Sequence, residues 1–304
     1  MSPRVNEFSW SFSRQATFQS CLKRYYFSYY AAWGGWSATA PARAREIYLL
    51  KRLATRQQWA GQHAHDALAA LLQRPAADAA EAESIAQQQI EQMRQEFRQS
   101  RAKAYHRDPA RIPGLFEHEY NLEIPAEEWQ AVVERVAQAV RQFATSELWQ
   151  ELQQLPREAM VAVEQRAHFL LDGLKVLAVP DLVVRHEGRV TIYDWKTGSA
   201  DLAEHRLQLG IYVLLALDRW TSAPSDIQAV AYHPILNQRE VFSYTADDVE
   251  NLRDFIRDSA DEMLFPVEDP MTNRLSADAE FDCTTDDNVC KTCPFLRVCP
   301  KWAT

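Results

Sequence analysis

Glycine is scarce in this sequence of 304 residues, which contains only eight. An average composition of about 7% glycine would supply about 21. Glycine serves tight turns and left-handed backbone, so its scarcity predicts few such turns and much helix. Long apolar runs are also lacking, because no stretch approaches the roughly 20 residues that span a membrane. With 47% hydrophobic and 25% charged residues, the chain is expected to fold as a globular protein.

Cysteine is also infrequent, and its arrangement does not suit a disulfide framework. There are five cysteines, an odd number, and four of them follow residue 282. Met1–Trp10 contains an acid and no apolar segment. We therefore expect no secretory signal and a cytoplasmic location, where disulfides are rare. Clustered thiols in that compartment indicate metal binding.

Three segments of the chain differ in their residue patterns. Residues 1–157 are typical of helices and include a long run over Ala126–Leu155 that Pro156 ends. Residues 158–265 alternate strand-like runs with helical ones, which predicts an α/β core. Residues 266–304 form an acidic, cysteine-rich tail. The predicted strands are Met160–Leu171, Val176–Arg185, Val190–Asp194, Ile227–Tyr232 and Glu240–Tyr244.

Two carboxylates and a lysine lie at the ends of two predicted strands. Asp181 precedes Asp194 by thirteen positions, and a turn at Glu187-Gly188 would bring the two carboxylates together. Lys196 would face the same side as Asp194, because side chains alternate along a strand. Converging carboxylates repel unless a hard cation lies between them, and Mg²⁺ or Mn²⁺ suits such ligands. The alternative is two unrelated acids and a surface lysine.

Two helical patterns accompany these strands. Gly61 precedes His65 by about one turn. His63 is two residues from His65, hence about 200° from it around the helix, and is set aside as a site residue. Gln208 and Tyr212 are four residues apart, hence on one helix face. Taken singly, His65 could be an ordinary core or surface histidine, and the other pair an ordinary polar contact. Five of the eight glycines lie in or beside these motifs: Gly61, Gly173, Gly188, Gly198 and Gly210.

In their order along the chain, these motifs resemble the PD-(D/E)XK nuclease superfamily, in its RecB-like branch. The resemblance implies an α/β fold: the mixed central sheet of a restriction-endonuclease-like core, a large helical N-terminal region and a cysteine-rich tail. It implies Mg²⁺- or Mn²⁺-dependent hydrolysis of phosphodiester bonds. Lys196 would be catalytic, while Gln208 and Tyr212 would contact DNA and support the site. The metal ligands that it implies are His65, Asp181, Asp194 and the backbone carbonyl of Trp195.

The C-terminal cysteines Cys290, Cys293 and Cys299 provide three thiolates, and a zinc or iron–sulfur site needs a fourth. Cys283 would make a local, zinc-like site, whereas Cys21 would join the two ends of the chain. The second arrangement resembles the iron–sulfur members of this branch, namely AddB-type helicase-nucleases and the RecB-like nucleases of CRISPR spacer acquisition. That resemblance implies a structural [4Fe–4S] cluster on Cys21 and the three later cysteines, with Cys283 spare and Zn²⁺ as the alternative.

Basic charge collects near the N-terminus although the net charge is −9. Residues 1–60 hold nine lysines and arginines but two glutamates. Lys23, Arg24 and Tyr25 place basic side chains next to an aromatic ring. Basic side chains suit contact with phosphate, and an aromatic ring suits stacking with the nucleobases of a single strand. The alternatives are a solvated helix surface for the bases and a packing role for the tyrosine.

The leading hypothesis is a metal-dependent DNA nuclease, with exonuclease activity on single strands or free ends. No G-x-x-x-x-G-K-[ST] loop is present, so any helicase motor would belong to a partner. The resemblance suggests roles in DNA repair, recombination, CRISPR adaptation or phage defence, and gives no reason to expect a membrane partner. The alternatives are a non-catalytic nucleic-acid-binding subunit and a zinc-tail interaction protein.

Overall fold

The computed structural model describes residues 5–74, 78–198, 202–221 and 223–302, and 52% of the chain is helical. No helix in these ranges is both long and apolar enough to cross a membrane. The α-helices are α1 Phe12–Ser20, α2 Leu22–Tyr26, α3 Ala42–Lys51, α4 Arg56–Leu72, α5 Ala79–Arg101, α6 Phe116–Glu119, α7 Ala126–Ala144, α8 Glu147–Gln153, α9 Leu202–Arg219, α10 Ala246–Leu264 and α11 Asp287–Cys290.

The strands lie mainly in the middle of the chain. In chain order they are β1 Leu53–Ala54, β2 Gly114–Leu115, β3 Met160–Val163, β4 Ala167–Leu171, β5 Leu174–Ala178, β6 Leu182–His186, β7 Arg189–Trp195, β8 Ile227–His233, β9 Gln238–Phe242, β10 Val267–Asp269 and β11 Arg274–Leu275.

Two compact units make up the chain. The sheet unit comprises Gln57–Arg94 and Pro125–Phe255. The terminal unit comprises Met1–Arg56, Gln95–Ile124 and Ile256–Thr304. Each unit is built from segments that are distant in the sequence.

A five-stranded mixed sheet forms the centre of the sheet unit, in the order β3-β6-β7-β8-β9. Neighbouring strands are antiparallel except β7 and β8, which are parallel and joined through α9. A parallel pair needs such a crossover, since a tight turn cannot join strands of the same direction. The predicted fold class is confirmed: the architecture is mixed α/β with a helical N-terminal region, consistent with a restriction-endonuclease-like core.

The hairpin of β6 and β7 turns where the sequence predicted it. His186 pairs with Arg189, so Glu187 and Gly188 alone form the loop. Both have positive φ, 48° and 79°, which is the type I′ conformation that matches the twist of paired strands. This turn sets the register in which Leu182 faces Tyr193.

Two of the predicted strand runs were wrong in extent. The run over Met160–Leu171 is divided into β3 and β4, and Glu164 between them has a left-handed φ of 46°. The run over Val176–Arg185 is divided into β5 and β6 around Pro180, which has no amide proton for a ladder hydrogen bond.

The predicted helix over Ala126–Leu155 was also wrong in extent, because it is divided into α7 and α8. Ser146 lies between them in an extended conformation, and its hydroxyl accepts a hydrogen bond from the Trp149 amide at 3.0 Å. A serine in this position caps a new helix rather than continuing the old one.

The core of the sheet unit covers one face of the central sheet. Phe143 of α7 is fully buried and lies 5.4 Å from Trp195 and 5.8 Å from Tyr232, measured between ring centroids. Because side chains alternate along β7, Trp195 on this face leaves Asp194 and Lys196 on the other. The sheet residues in this core are Leu182, Val184, Tyr193, Trp195, Val230 and Tyr232.

The terminal unit brings together the first and last parts of the chain. Trp10 donates a buried hydrogen bond from Nε1 to Ser259 Oγ at 2.8 Å, and the Lys23 amide donates to the Asp282 carbonyl at 2.9 Å. Its apolar core includes Phe27, Ile47, Leu50, Tyr105, Phe295 and Val298.

We expect Phe143→Ala to destabilise the protein, because it removes a ring from the core behind Trp195. Replacing a buried phenylalanine by alanine costs about 3–5 kcal/mol, which urea denaturation followed by circular dichroism would measure. Phe265→Ala is the matched control, since Phe265 is 91% exposed. Equal effects of the two substitutions would contradict the core described here.

Candidate active site and cysteine cavity

Asp181 is held at the open end of the β6–β7 hairpin. It directly precedes β6, and its Oδ2 accepts a hydrogen bond from the Trp195 amide at 2.5 Å. Asp181 is buried, with 4% of its surface exposed. The sequence prediction that the hairpin brings Asp181 to the end of the Asp194 strand is therefore confirmed by the geometry.

Asp194, Lys196, Gln208 and Tyr212 form one connected network. Lys196 Nζ lies 2.5 Å from Asp194 Oδ2 and donates to Gln208 Oε1 at 2.7 Å. Gln208 Nε2 donates to Asp194 Oδ1 at 3.1 Å and to the Tyr212 hydroxyl at 2.9 Å. Burial raises the pKa of Tyr212 well above its usual value, and the charge of Asp194 adds to that effect. Tyr212 therefore stays neutral and supports the site through Gln208.

His65 reaches Asp181 from α4. Its Nδ1 lies 3.1 Å from Asp181 Oδ1 and 3.2 Å from Glu164 Oε1. Burial opposes a charged imidazole, but the contacts with Asp181 and Glu164 outweigh it and raise the pKa of His65 to about 10. Burial also raises the pKa of Asp181 against the opposing contact with His65, and the charge of Asp194 raises it further. The site thus concentrates negative charge that favours a cation.

Glu164 is a site residue that the sequence analysis missed. Its amide donates to the Asp181 carbonyl at 2.9 Å, and its carboxylate joins His65 and Asp181 in a group whose donor atoms all lie within 4.8 Å of one another. The available signal was a carboxylate directly after the β-branched run Met160–Val163. Treating Met160–Leu171 as one strand hid that strand end.

The donor set fits a hard divalent cation. Carboxylate oxygens dominate it, as Mg²⁺ and Mn²⁺ prefer, with one imidazole nitrogen added. Asp194 is outside the close group of three, and its oxygens contact Lys196 and Gln208. The assignments of Asp194 and of the Trp195 carbonyl as ligands stay predictions. His63, set aside in the sequence analysis, is buried with its Nδ1 2.8 Å from Gln89 Oε1.

A groove of about 100 Å³ in the same unit lies beside Thr197 and Gly198, which follow the lysine. Gly61 of α4 lines it, and a Cβ at that position would lie 3.3 Å from Thr197 Oγ1. A small residue at this position therefore keeps the groove open. Gly210 has another role, since its missing side chain leaves room for Leu252 of α10.

All five cysteines line one cavity in the terminal unit, and none forms a disulfide. Cys283 Sγ is 3.6 Å from Cys299 Sγ, so the cysteine predicted to be spare lies among the predicted ligands. Burial raises the pKa of the Cys293 thiol. Lys23, Arg24 and Lys301 also line the cavity, and their positive charges would stabilise thiolates there.

Tyr25 does not have the exposed ring that base stacking requires. It is fully buried, its hydroxyl accepts hydrogen bonds from Arg14 at 3.0 and 3.2 Å, and its ring packs edge-on against Phe18 at 5.0 Å. Its prediction as a nucleic-acid contact is therefore corrected to a packing role. Lys23 and Arg24 beside it are partly exposed, and their contact with nucleic acid stays a prediction.

The fold and this site define a class: a mixed α/β protein with acidic residues and a lysine at adjoining strand ends and a histidine that reaches them from a helix. The profile of the PD-(D/E)XK nuclease superfamily matches residues 9–300. The chain belongs to this superfamily, which indicates a nuclease, a hydrolase of phosphodiester bonds.

Other comparisons are more distant. No curated protein sequence matches the chain. Among solved structures, the crystal structure of SSO0001 is 17% identical, and the match covers 62% of this chain and 80% of that one with a TM-score of 0.30. That likeness is too distant to bear on function.

We expect Glu164→Gln to weaken Mn²⁺ binding by at least about tenfold, because neutral ligands bind hard cations less well and altered metal shells commonly cost 10–100-fold. Isothermal titration calorimetry would measure the affinity. Glu158→Gln is the control, as Glu158 is exposed on the turn before β3. Unchanged affinity in Glu164→Gln would remove Glu164 from the metal site.

Proposed function

We propose that this chain is a Mg²⁺- or Mn²⁺-dependent DNA nuclease of the RecB-like branch that acts on single strands or free ends. The observation that carries the proposal is the meeting of Asp181, Asp194 and Lys196 at the end of one hairpin, with His65 added from α4. A protein that only bound nucleic acid would gain nothing from holding buried carboxylates against phosphate.

His65, Glu164 and Asp181 would hold the metal, with Asp194 and the Trp195 carbonyl as further ligands. When bound, the cation polarises a phosphoryl oxygen and helps to generate hydroxide at neutral pH. The other side chains of the site hold the substrate and the catalytic groups in position. The ligands would thus come from α4, from the residue that follows β3, and from the adjoining ends of β6 and β7.

Lys196 supplies positive charge where negative charge develops. As water attacks phosphorus and the bond to the leaving sugar oxygen breaks, charge grows on the phosphoryl oxygens, which an ammonium group stabilises. Gln208 holds Lys196 by accepting from its Nζ at 2.7 Å while donating to Asp194. The rigidity of this pair of contacts keeps the ammonium group at the strand end before substrate arrives.

The substrate preference rests on other features. The groove beside Thr197 and Gly198 has small residues that allow a phosphate backbone to approach. The excess of lysine and arginine in residues 1–60 suits phosphate contact. The chain has no phosphate loop for ATP, so we expect a helicase or another repair or defence subunit to supply any motor activity.

A nuclease assay tests this function. We expect Mn²⁺-dependent cleavage of end-labelled single-stranded DNA, reduced at least about 100-fold by Asp194→Asn or Lys196→Met, since removal of one electrostatic group commonly costs 10²–10³. Lys175→Met, on the separate β4–β5 hairpin, is the matched control and should cut like the parent.

Labels on either end, with duplex DNA and RNA as competing substrates, would give polarity and preference. Cleavage that survives both site substitutions would refute the site. Binding of DNA without any cleavage, in the presence of Mn²⁺, would favour a non-catalytic subunit.

The cysteine cavity is proposed to hold a structural [4Fe–4S] cluster on Cys21, Cys290, Cys293 and Cys299. Support comes from the convergence of thiols and positive side chains on one cavity and from the Arg24 amide, which donates to Cys21 Sγ at 3.4 Å. Hydrogen bonds to sulfur are a common feature of such clusters. The cluster would tie the first helices of the terminal unit to its last residues.

We expect protein purified without oxygen to be brown, and Cys21→Ala to lose iron and visible absorption. Cys283→Ala is the matched control, because the same cavity contains it, and it should keep the cluster. Loss of iron in Cys283→Ala with retention in Cys21→Ala would reassign the ligand. A colourless protein that contains zinc would refute the cluster.

A further inference from the structure

A second group of metal-binding side chains lies in the sheet unit, apart from the carboxylates already described. It consists of His205, His233 and Glu240, whose donor atoms all lie within 4.8 Å of one another. They come from three elements: His205 from the first turn of α9, His233 from the end of β8 and Glu240 from β9. None of the motifs recognised in the sequence includes them.

The register of β8 and β9 explains how two of these side chains meet. Glu240 pairs with Ala231, two residues before His233. Directly paired residues point to the same face of a sheet, and so do residues two apart on one strand. Glu240 and His233 therefore share one face. Tyr232, between Ala231 and His233, points into the apolar core on the other face.

The distances suit one ion shared by all three side chains. Glu240 presents one oxygen to each histidine: Oε2 lies 3.1 Å from His205 Nδ1, and Oε1 lies 3.8 Å from His233 Nε2. Tetrahedral Zn²⁺ with bonds of about 2.0–2.2 Å places its ligand atoms about 3.4 Å apart. Only small side-chain shifts separate these contacts from a coordination sphere.

The surroundings of the two histidines also suit metal binding. His205 is 2% exposed, and Nε2 of His233, the ring nitrogen that faces Glu240, is buried without a hydrogen-bond partner among the described residues. A buried polar nitrogen without a partner costs free energy unless something binds it. Glu240 contacts both rings, and no arginine or lysine in the described part of the chain pairs with it within ion-pair distance.

We propose that His205, His233 and Glu240 form a Zn²⁺ site that fixes the start of α9 to strands β8 and β9. Two imidazoles and one carboxylate favour Zn²⁺ over Mg²⁺, which prefers an all-oxygen shell. The fourth position is left to water, since the Glu240 side chain is 35% exposed.

The position of this site gives it a structural role next to the reaction centre. His205 lies three residues, or about one turn, before Gln208, which contacts both Lys196 and Asp194. His233 directly follows Tyr232, whose carbonyl accepts a hydrogen bond from the Lys196 amide at 2.7 Å. An ion here would hold the helix and the strand that position Lys196, so the three side chains are positioning residues.

Metal binding by the full-length protein tests the proposal independently of nuclease activity. The background is Asp181→Asn/Asp194→Asn, which removes the proposed catalytic ion. Zn²⁺ is then titrated into this protein and into versions that also carry Glu240→Gln or His233→Asn. We expect each added substitution to weaken one equivalent of Zn²⁺ by at least about 100-fold, since loss of a mere supporting group already costs 10–100-fold.

Glu204→Gln is the matched control, because Glu204 is an exposed carboxylate on the same turn of α9. It should keep the full Zn²⁺ stoichiometry. Co²⁺ distinguishes this site from the cysteine cavity: its visible bands should lack the sulfur-to-metal charge-transfer absorption of thiolate sites. Zn²⁺ should also raise the melting temperature of the Glu204→Gln protein but not that of Glu240→Gln.

The proposal is overturned if Glu240→Gln and His233→Asn retain the equivalent with unchanged affinity, or if every Co²⁺ band shows thiolate charge transfer. Glu240→Gln is nearly isosteric and partly exposed, so it tests the site without removing a core side chain. Circular dichroism should show the same helix content in all variants.

Discussion

Repulsion between two buried carboxylates is the constraint on which the candidate active site depends. Asp181 and Asp194 are 4% and 3% exposed, and burying charge without compensation is costly. The surrounding contacts offset part of that cost. The Trp195 amide and His65 contact Asp181. Lys196 and Gln208 contact Asp194. A divalent cation would complete the compensation, so the same repulsion that would destabilise the pair without a cation favours the binding of a metal ion.

The rest of the sheet unit keeps those carboxylates in place. The two-residue turn at Glu187-Gly188 sets the register of β6 and β7, and the apolar side chains on the opposite face anchor β7 against Phe143. Because strand side chains alternate, burial of Tyr193 and Trp195 determines that Asp194 and Lys196 face α9. Packing of the apolar core thus determines the direction in which the side chains of Asp194 and Lys196 point.

Three donor chemistries are kept separate in this chain. The proposed catalytic site offers mainly carboxylate oxygens, the cavity in the terminal unit offers thiols, and the group around His205 offers imidazoles with one carboxylate. Ligand softness and geometry sort metals more effectively than affinity alone. Mg²⁺ or Mn²⁺, the iron–sulfur cluster and Zn²⁺ would accordingly occupy different places. Each proposed site also joins segments that are distant in the sequence.

The sequence by itself determined the fold class, the β6–β7 hairpin and the order of the nuclease motifs, because turns, strand periods and helix faces depend on short spacings. Only the tertiary structure decided which distant groups meet. Glu164 joins His65 across 99 positions, and Glu240 joins His205 across 35. Tyr25 is buried and Cys283 lies against Cys299 for the same reason. Such contacts follow from packing between elements, which no local pattern encodes.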